Sequence, residues 1–150
     1  MKLEEEIVSA NFQSNYHKCT VNILYTYGWL TDTLKRELNK HKVTLQQFNV
    51  LRILRGQYPN PATVNLLRER MLDKMSDASR IVDRLIQKEL VTRCVSEKDR
   101  RAVDILISEK GLNMLKILDN EVKSADDLLK NNLNENEVIQ LNELLDKLRG

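Results

Sequence analysis

The apolar positions of the chain change period twice, and the changes divide it into elements. Val21, Leu24, Tyr25, Trp29, Thr33 and Leu38 recur roughly on one side of a helix, with Lys35, Arg36 and Glu37 between, so the first forty residues are predicted to form one long helix. Thr44 and Gln47 have the spacing of a capping box, and Phe48, Leu51 and Leu54 follow at helical intervals until the element stops near Gly56. "QYPNPAT" breaks the chain with two prolines and an asparagine. Thr63 is the next N-cap, opening a short helix in which Val64, Leu67 and Met71 share a face. After "LDK", Ser76 or a neighbour starts another helix, with Ile81, Val82, Leu85 and Ile86 inward and Asp77, Arg80, Arg84 and Lys88 outward. Past Leu90 the period becomes two: Val91, Arg93 and Val95 alternate with Thr92 and Cys94, and Val103, Ile105 and Ile107 with Ala102, Asp104 and Leu106, which predicts a hairpin. The helical period then returns. Ser108 caps a helix carrying Leu112, Leu115, Leu118, Val122, Ala125 and Leu129, and an Asn134–Glu137 capping box opens a last one with Val138, Leu141, Leu145 and Leu148 in one seam.

Two short helices joined by a three- or four-residue turn, then a hairpin, are the outline of a winged helix-turn-helix. The expected fold class is mainly α with a small β-hairpin. A lobe spanning 43–107 holds the motif, and helical regions 1–42 and 108–150 flank it. The leucine seams of those flanking helices exceed what a small motif needs for its own core, which suits a two-fold homodimer; a monomer with an internal helical bundle is the plainer reading.

Charge sharpens this picture. The net charge is only +2. From Lys35 to Arg55, however, six Lys/Arg face one acid, from Arg68 to Arg101 ten face seven, and from Asp119 onward four face eight. A basic middle suggests an anionic partner there, and an acidic tail suggests a separate task. No apolar run approaches the ~20 residues that span a bilayer. The start of the chain is acidic without an apolar stretch, and two cysteines make no disulfide framework, so a cytoplasmic protein that leaves membranes alone is expected.

A helix in this position enters a DNA major groove with its N-terminal residues at base edges, here Ser76, Asp77, Ser79 and Arg80, with Arg84 further along. Arg80 has the forked donors that match guanine. Asp77 has three open readings: accepting from a cytosine amino group, holding Arg80, or capping the helix. Thr63 and Asn65 begin the supporting helix, where exposed backbone donors suit a phosphate. "SEKDRR" at the hairpin tip is either a solvated turn or a finger for an anion. Lacking Gly or Asn, it favours the finger, with Arg100 and Arg101 reaching a minor groove and Asp99 bracing Arg101.

"SRIVDRLIQKELVTR" and "SEKDRRAVDILISEKGLNML" resemble the recognition helix and wing of the MarR family of bacterial transcriptional regulators. The resemblance runs residue by residue from Val43 to about Leu115, and the helix order extends it to the whole chain. It implies a homodimer on a pseudo-palindromic double-stranded operator, with Arg101 as the arginine of the family's Asp-x-Arg motif and Asp99 as its partner. Three residues depart from the family pattern. Glu89 replaces a glycine at the end of the recognition helix, Arg68 replaces a small residue, and Asp77 adds an acid.

The family often responds to small aromatic compounds held between the dimer helices and the DNA-binding lobe. Tyr16, Tyr25, Tyr27 and Trp29 are the candidate pocket residues, with dimer core as the plainer assignment. Some members sense peroxide through a cysteine in the first helix, helped by tyrosines; the corresponding places here hold Leu34 and Leu45, so Cys19 is expected to be inert and Cys94 to be a small core residue. Two histidines without paired spacing predict no metal, and no cofactor loop or nucleophile–base pair predicts catalysis, so no enzyme is expected. A protein-interaction adaptor that has lost DNA binding is the alternative, with Asp77 and Glu89 as its traces.

Overall fold

A computed structural model describes residues 1–8, 11–95 and 103–150. Among the described residues, seven helices and three short strands follow one another: α1 (Leu3–Glu6), α2 (Asn15–Lys40), α3 (Leu45–Gln57), β1 (Ala62–Thr63), α4 (Val64–Arg70), α5 (Ala78–Gln87), β2 (Val91–Val95), β3 (Val103–Ile107), α6 (Glu109–Asn132) and α7 (Glu135–Arg149). The strands form an antiparallel sheet of order β1-β3-β2, with Val91 opposite Ile107 and Ala62 opposite Ile105. This is the expected mainly helical winged architecture, with a third strand added.

Local chemistry places most boundaries. The Thr44 hydroxyl accepts from Gln47 N at 3.1 Å while the Gln47 amide oxygen accepts from Thr44 N, closing the predicted box. The Thr63 and Ser108 hydroxyls cap α4 and α6 by accepting from Leu66 N and Gly111 N, and Asn134 closes a second box with Glu137 on α7. Thr63 has two tasks, since its backbone also pairs with Asp104 in the sheet. One core then forms from α3, α4, α5, the sheet and the start of α6: Leu51, Leu54, Leu67, Val82, Leu85, Ile105, Leu115 and Leu118 are all fully enclosed.

Four expectations need correction. The first forty residues are two helices. Ser14 has extended backbone and its hydroxyl accepts from His17 N, so α2 starts afresh at Asn15. The short α1 lies back on α2 through a Lys18–Glu4 ion pair and a Tyr25–Glu6 hydrogen bond of 2.7 Å. Between α4 and α5 the connection is longer than a tight turn and comprises residues 71–77. Cys94 is exposed, with Thr92 and Arg93, whereas Val91 at the start of the same strand is buried in the core. Lys88 folds inward instead of facing solvent. Its ammonium donates to the Lys42 carbonyl at 2.5 Å and to Gln47 Oε1 at 2.7 Å. Partial burial, with Arg84 nearby, holds its pKa below the usual lysine range.

The end of α5 shows how the chain closes this helix without a glycine. Glu89 N donates to Ile86 O and Leu90 N to Leu85 O, a Schellman pattern that needs a left-handed residue, and Glu89 supplies it at φ 60°. Its carboxylate meets Lys110 Nζ at 2.6 Å, which lowers its pKa, and its carbonyl accepts from the Ser108 hydroxyl at 2.7 Å. Directly beyond, Gly111 has no room for a side chain: an added Cβ would lie 2.2 Å from the Leu90 carbonyl oxygen and 2.8 Å from Ile107 Cγ1.

Both positions make measurable statements. Glu89→Gly relieves left-handed strain and loses only an exposed ion pair, so urea unfolding should show a gain of about 0.5–1 kcal/mol. Gly111→Ala should cost about 1–3 kcal/mol in the same measurement, since neighbouring backbone must move. A neutral Gly111→Ala would show that the junction is looser than its contacts imply.

Candidate nucleic-acid interface

Most of the residues predicted to touch an anion that the structure describes are exposed on α4 and α5. Thr63 and Asn65 are exposed at the start of α4, and Ser79, Arg80 and Arg84 are exposed along α5. Ala78 and Val82 fix the rotation of α5: both are buried, so Ser79 and Arg80 between them turn outward while Ile81 packs against the core. Asp77 is the N-cap, its carboxylate accepting from Arg80 N at 3.2 Å, which selects the capping role among the three readings of that acid. On the far side of α5, Asp83 pairs with Arg93 of β2 and ties the helix to the hairpin.

The connection before α5 is organised by a residue that periodicity did not single out. Asp73 Oδ1 accepts from Met75 N at 3.0 Å, and its Oδ2 accepts from the Ser76 hydroxyl at 2.6 Å. These donors hold its carboxyl below the usual aspartate range, the Ser76 hydroxyl contributing most. The Asp-x-x-Ser spacing is the signal that would have found it, because a short acidic side chain turns back on the backbone two residues on. Leu72 N is tethered to Asn49 Oδ1 at 3.0 Å, anchoring the same segment to α3.

Ser76, Arg80 and Arg84 share a cleft of about 340 Å³ with Thr44, Gln46 and Gln47 at the start of α3. Gln46 is thus a member of this surface that sequence spacing did not predict; it comes from a different element, and only the fold brings it there. Asp99, Arg100 and Arg101 lie outside the described residues.

The predicted aromatic cluster divides. Tyr25 and Trp29 line a cavity of about 430 Å³ under α1, together with Leu3, Glu6 and Leu128. Tyr16 and Tyr27 are exposed on α2 and do not contribute to it. Where an effector was expected, between the long helices and the lobe, there is a second cavity of about 180 Å³. Its lining is different from the one predicted: Leu30, Leu34, Phe48, Arg52, Leu72 and Val122. Among the described residues no three His, Cys, Asp or Glu side chains cluster as metal ligands, and no helix is long and apolar enough to cross a membrane.

Comparison with known proteins matches this geometry. A model of the MarR family covers residues 41–102. The HTH-type transcriptional regulator MhqR of Bacillus subtilis (strain 168) is 28% identical over 122 residues, covering 81% of this chain and 83% of that protein. Among solved structures, apo MarR from E. coli is 25% identical with a TM-score of 0.67, covering 84% of this chain and 93% of its own. The organohalide-sensing regulator RdhR, solved in its 2,4-dichlorophenol-bound form, shares the fold at a TM-score of 0.80 and 20% identity, covering 93% of this chain and 85% of its own.

A titration tests the stitching role of Asp73. Its folded pKa is depressed, so its contribution to stability is fully present above the ordinary aspartate range and is lost as pH falls through the lowered value. Carboxyl-carbon NMR should show Asp73 titrating below an unperturbed aspartate, and Ser76→Ala should return it towards the ordinary range. An ordinary value in the unsubstituted protein would remove the role.

Proposed function

We propose that the chain is a regulator of the MarR type, a reading supported by the match of residues 41–102 to that family's model: a homodimeric, sequence-specific DNA-binding regulator that answers to a small effector. One observation carries the reading. The basic face of α5 is bare while its acids are engaged elsewhere: Asp77 caps the helix and Asp83 holds Arg93, so Arg80 and Arg84 face outward without a carboxylate partner on the same helix. A phosphate-rich major groove is the surface that such a face complements.

In this reading Arg80 forks onto guanine O6 and N7, while Ser76, Ser79 and Arg84 contact base edges or phosphates. Thr63 and Asn65 present the start of α4 to the backbone. Asp99 aims Arg101, beside Arg100, into the minor groove. Residues 43–107 act as the DNA-binding lobe and residues 1–42 with 108–150 as the dimerisation region. The pairing is supported by α7, which buries no residue within its own chain although Val138, Leu141, Leu145 and Leu148 line one side. A two-fold pair sets recognition helices about 34–36 Å apart, which calls for a pseudo-palindromic operator. The effector is a small apolar or aromatic compound in the cavity that Leu72 and Phe48 line, in keeping with the chlorophenol bound by the structural relative.

Selection of bound duplexes from random DNA tests the proposal as a whole. A palindromic consensus is expected, with affinity falling steeply as salt rises. No enrichment would overturn it in favour of a protein-interaction role. With the consensus in hand, Arg80→Ala should lose about 1–3 kcal/mol of discrimination at one symmetric pair of positions. Equal weakening on every sequence would reassign Arg80 to phosphate. Arg101→Ala should weaken DNA binding and leave the dimer mass in sedimentation unchanged.

A further inference from the structure

Met75 stands just ahead of α5 and is 94% exposed, the most exposed large apolar residue among the described residues. Its backbone is not loose. Met75 N donates to Asp73, whose other oxygen takes the Ser76 hydroxyl, and Asp77 then caps α5. The chain therefore holds a bare, flexible thioether at a defined point on the leading edge of α5. The other exposed apolar residue of this segment, Leu72, has an apolar environment to explain it, since it lines the cavity with Phe48 and Val122. Around Met75 the neighbours in sequence are polar or charged: Lys74, Ser76 and Asp77.

Resting on the DNA-binding reading above, we infer that Met75 is a specificity residue that covers the C5-methyl group of a thymine in each half-site. The thymine methyl is the apolar group on the major-groove edges of the four bases, so it is the feature an apolar side chain can read there. The location is continuous with the proposed interface, because the next residue, Ser76, already shares a cleft with Arg80 and Arg84. Met adapts its three rotatable bonds to a small convex group, which fits a contact made by shape and not by hydrogen bonding. Arg80 and Met75 then divide the readout, one taking guanine by charge-assisted bonds and the other thymine by desolvation.

The probe is the duplex that the full-length protein selects from random DNA, with each thymine in turn replaced by deoxyuridine on both half-sites. For the unsubstituted protein, one symmetric pair should matter, its methyl loss weakening binding about fourfold per half-site. Met75→Ala should bind the thymine and deoxyuridine versions of that duplex equally, and Met75→Leu should recover most of the difference. Because the side chain is almost wholly exposed, circular dichroism of the variants should match the parent. Three results overturn the inference while leaving DNA binding intact. They are insensitivity of the parent to every deoxyuridine change, equal methyl sensitivity in parent and Met75→Ala, and an altered dimer mass in Met75→Ala, which would make this an interface between copies. Failure to select any sequence would instead overturn the DNA-binding reading beneath it.

Discussion

The lobe depends on close approach of backbone where α5, the hairpin and α6 meet. Leu90 is the shared point. Its amide closes the end of α5 onto Leu85, and its carbonyl accepts from Ser108 N at 3.0 Å. Gly111 packs against that carbonyl with no space for a methyl group. Helix end, first strand, second strand and next helix are therefore registered on one peptide. A shift there would move the direction of α5 and of the hairpin together, and α5 carries the proposed contacts of Ser79, Arg80 and Arg84.

Glu89 shows the tolerance of such a junction. The Schellman geometry demands a positive φ, and an L-residue with a Cβ accepts it at some cost. Lys110 and Ser108, both from the start of α6, hold the carboxylate and the carbonyl of Glu89. The strained residue is thus tied to the same helix that Leu90 and Gly111 bring close. Arg55 and Asp119 make a second tie between α3 and α6 lower down, so the lobe is secured to the long helix at two levels.

Caps and periodicity were legible in the sequence because they are local. Thr44, Thr63, Ser108 and Asn134 act on backbone three residues away, and that reach is written in the order of residues. The break at Ser14 was hidden because apolar spacing runs on through α2 and says little about where it begins. Alternation in the hairpin identified which residues share a face but not whether anything covers that face, so Cys94 was assigned to a core that stops at Val91. Lys88 was placed outward by its helical angle, yet a four-carbon stem lets its charge travel to carbonyls on another element. In the candidate site, Arg80, Arg84 and Asp77 were legible on one helix. Gln46 was not, because its membership follows from how α3 packs beside α5.

The bare apolar side of α7 has a thermodynamic consequence. A fifteen-residue helix with no buried residue gains nothing from its own chain's core, and helices of that length are marginal in water. Under the proposed pairing, its order becomes a mass-action quantity. At dilutions where subunits separate, α7 would fray while the lobe around Leu90 stays folded, and far-ultraviolet helicity would report subunit concentration. Abundance in the cell would then set how much of the protein is competent to span two half-sites, before any effector is present.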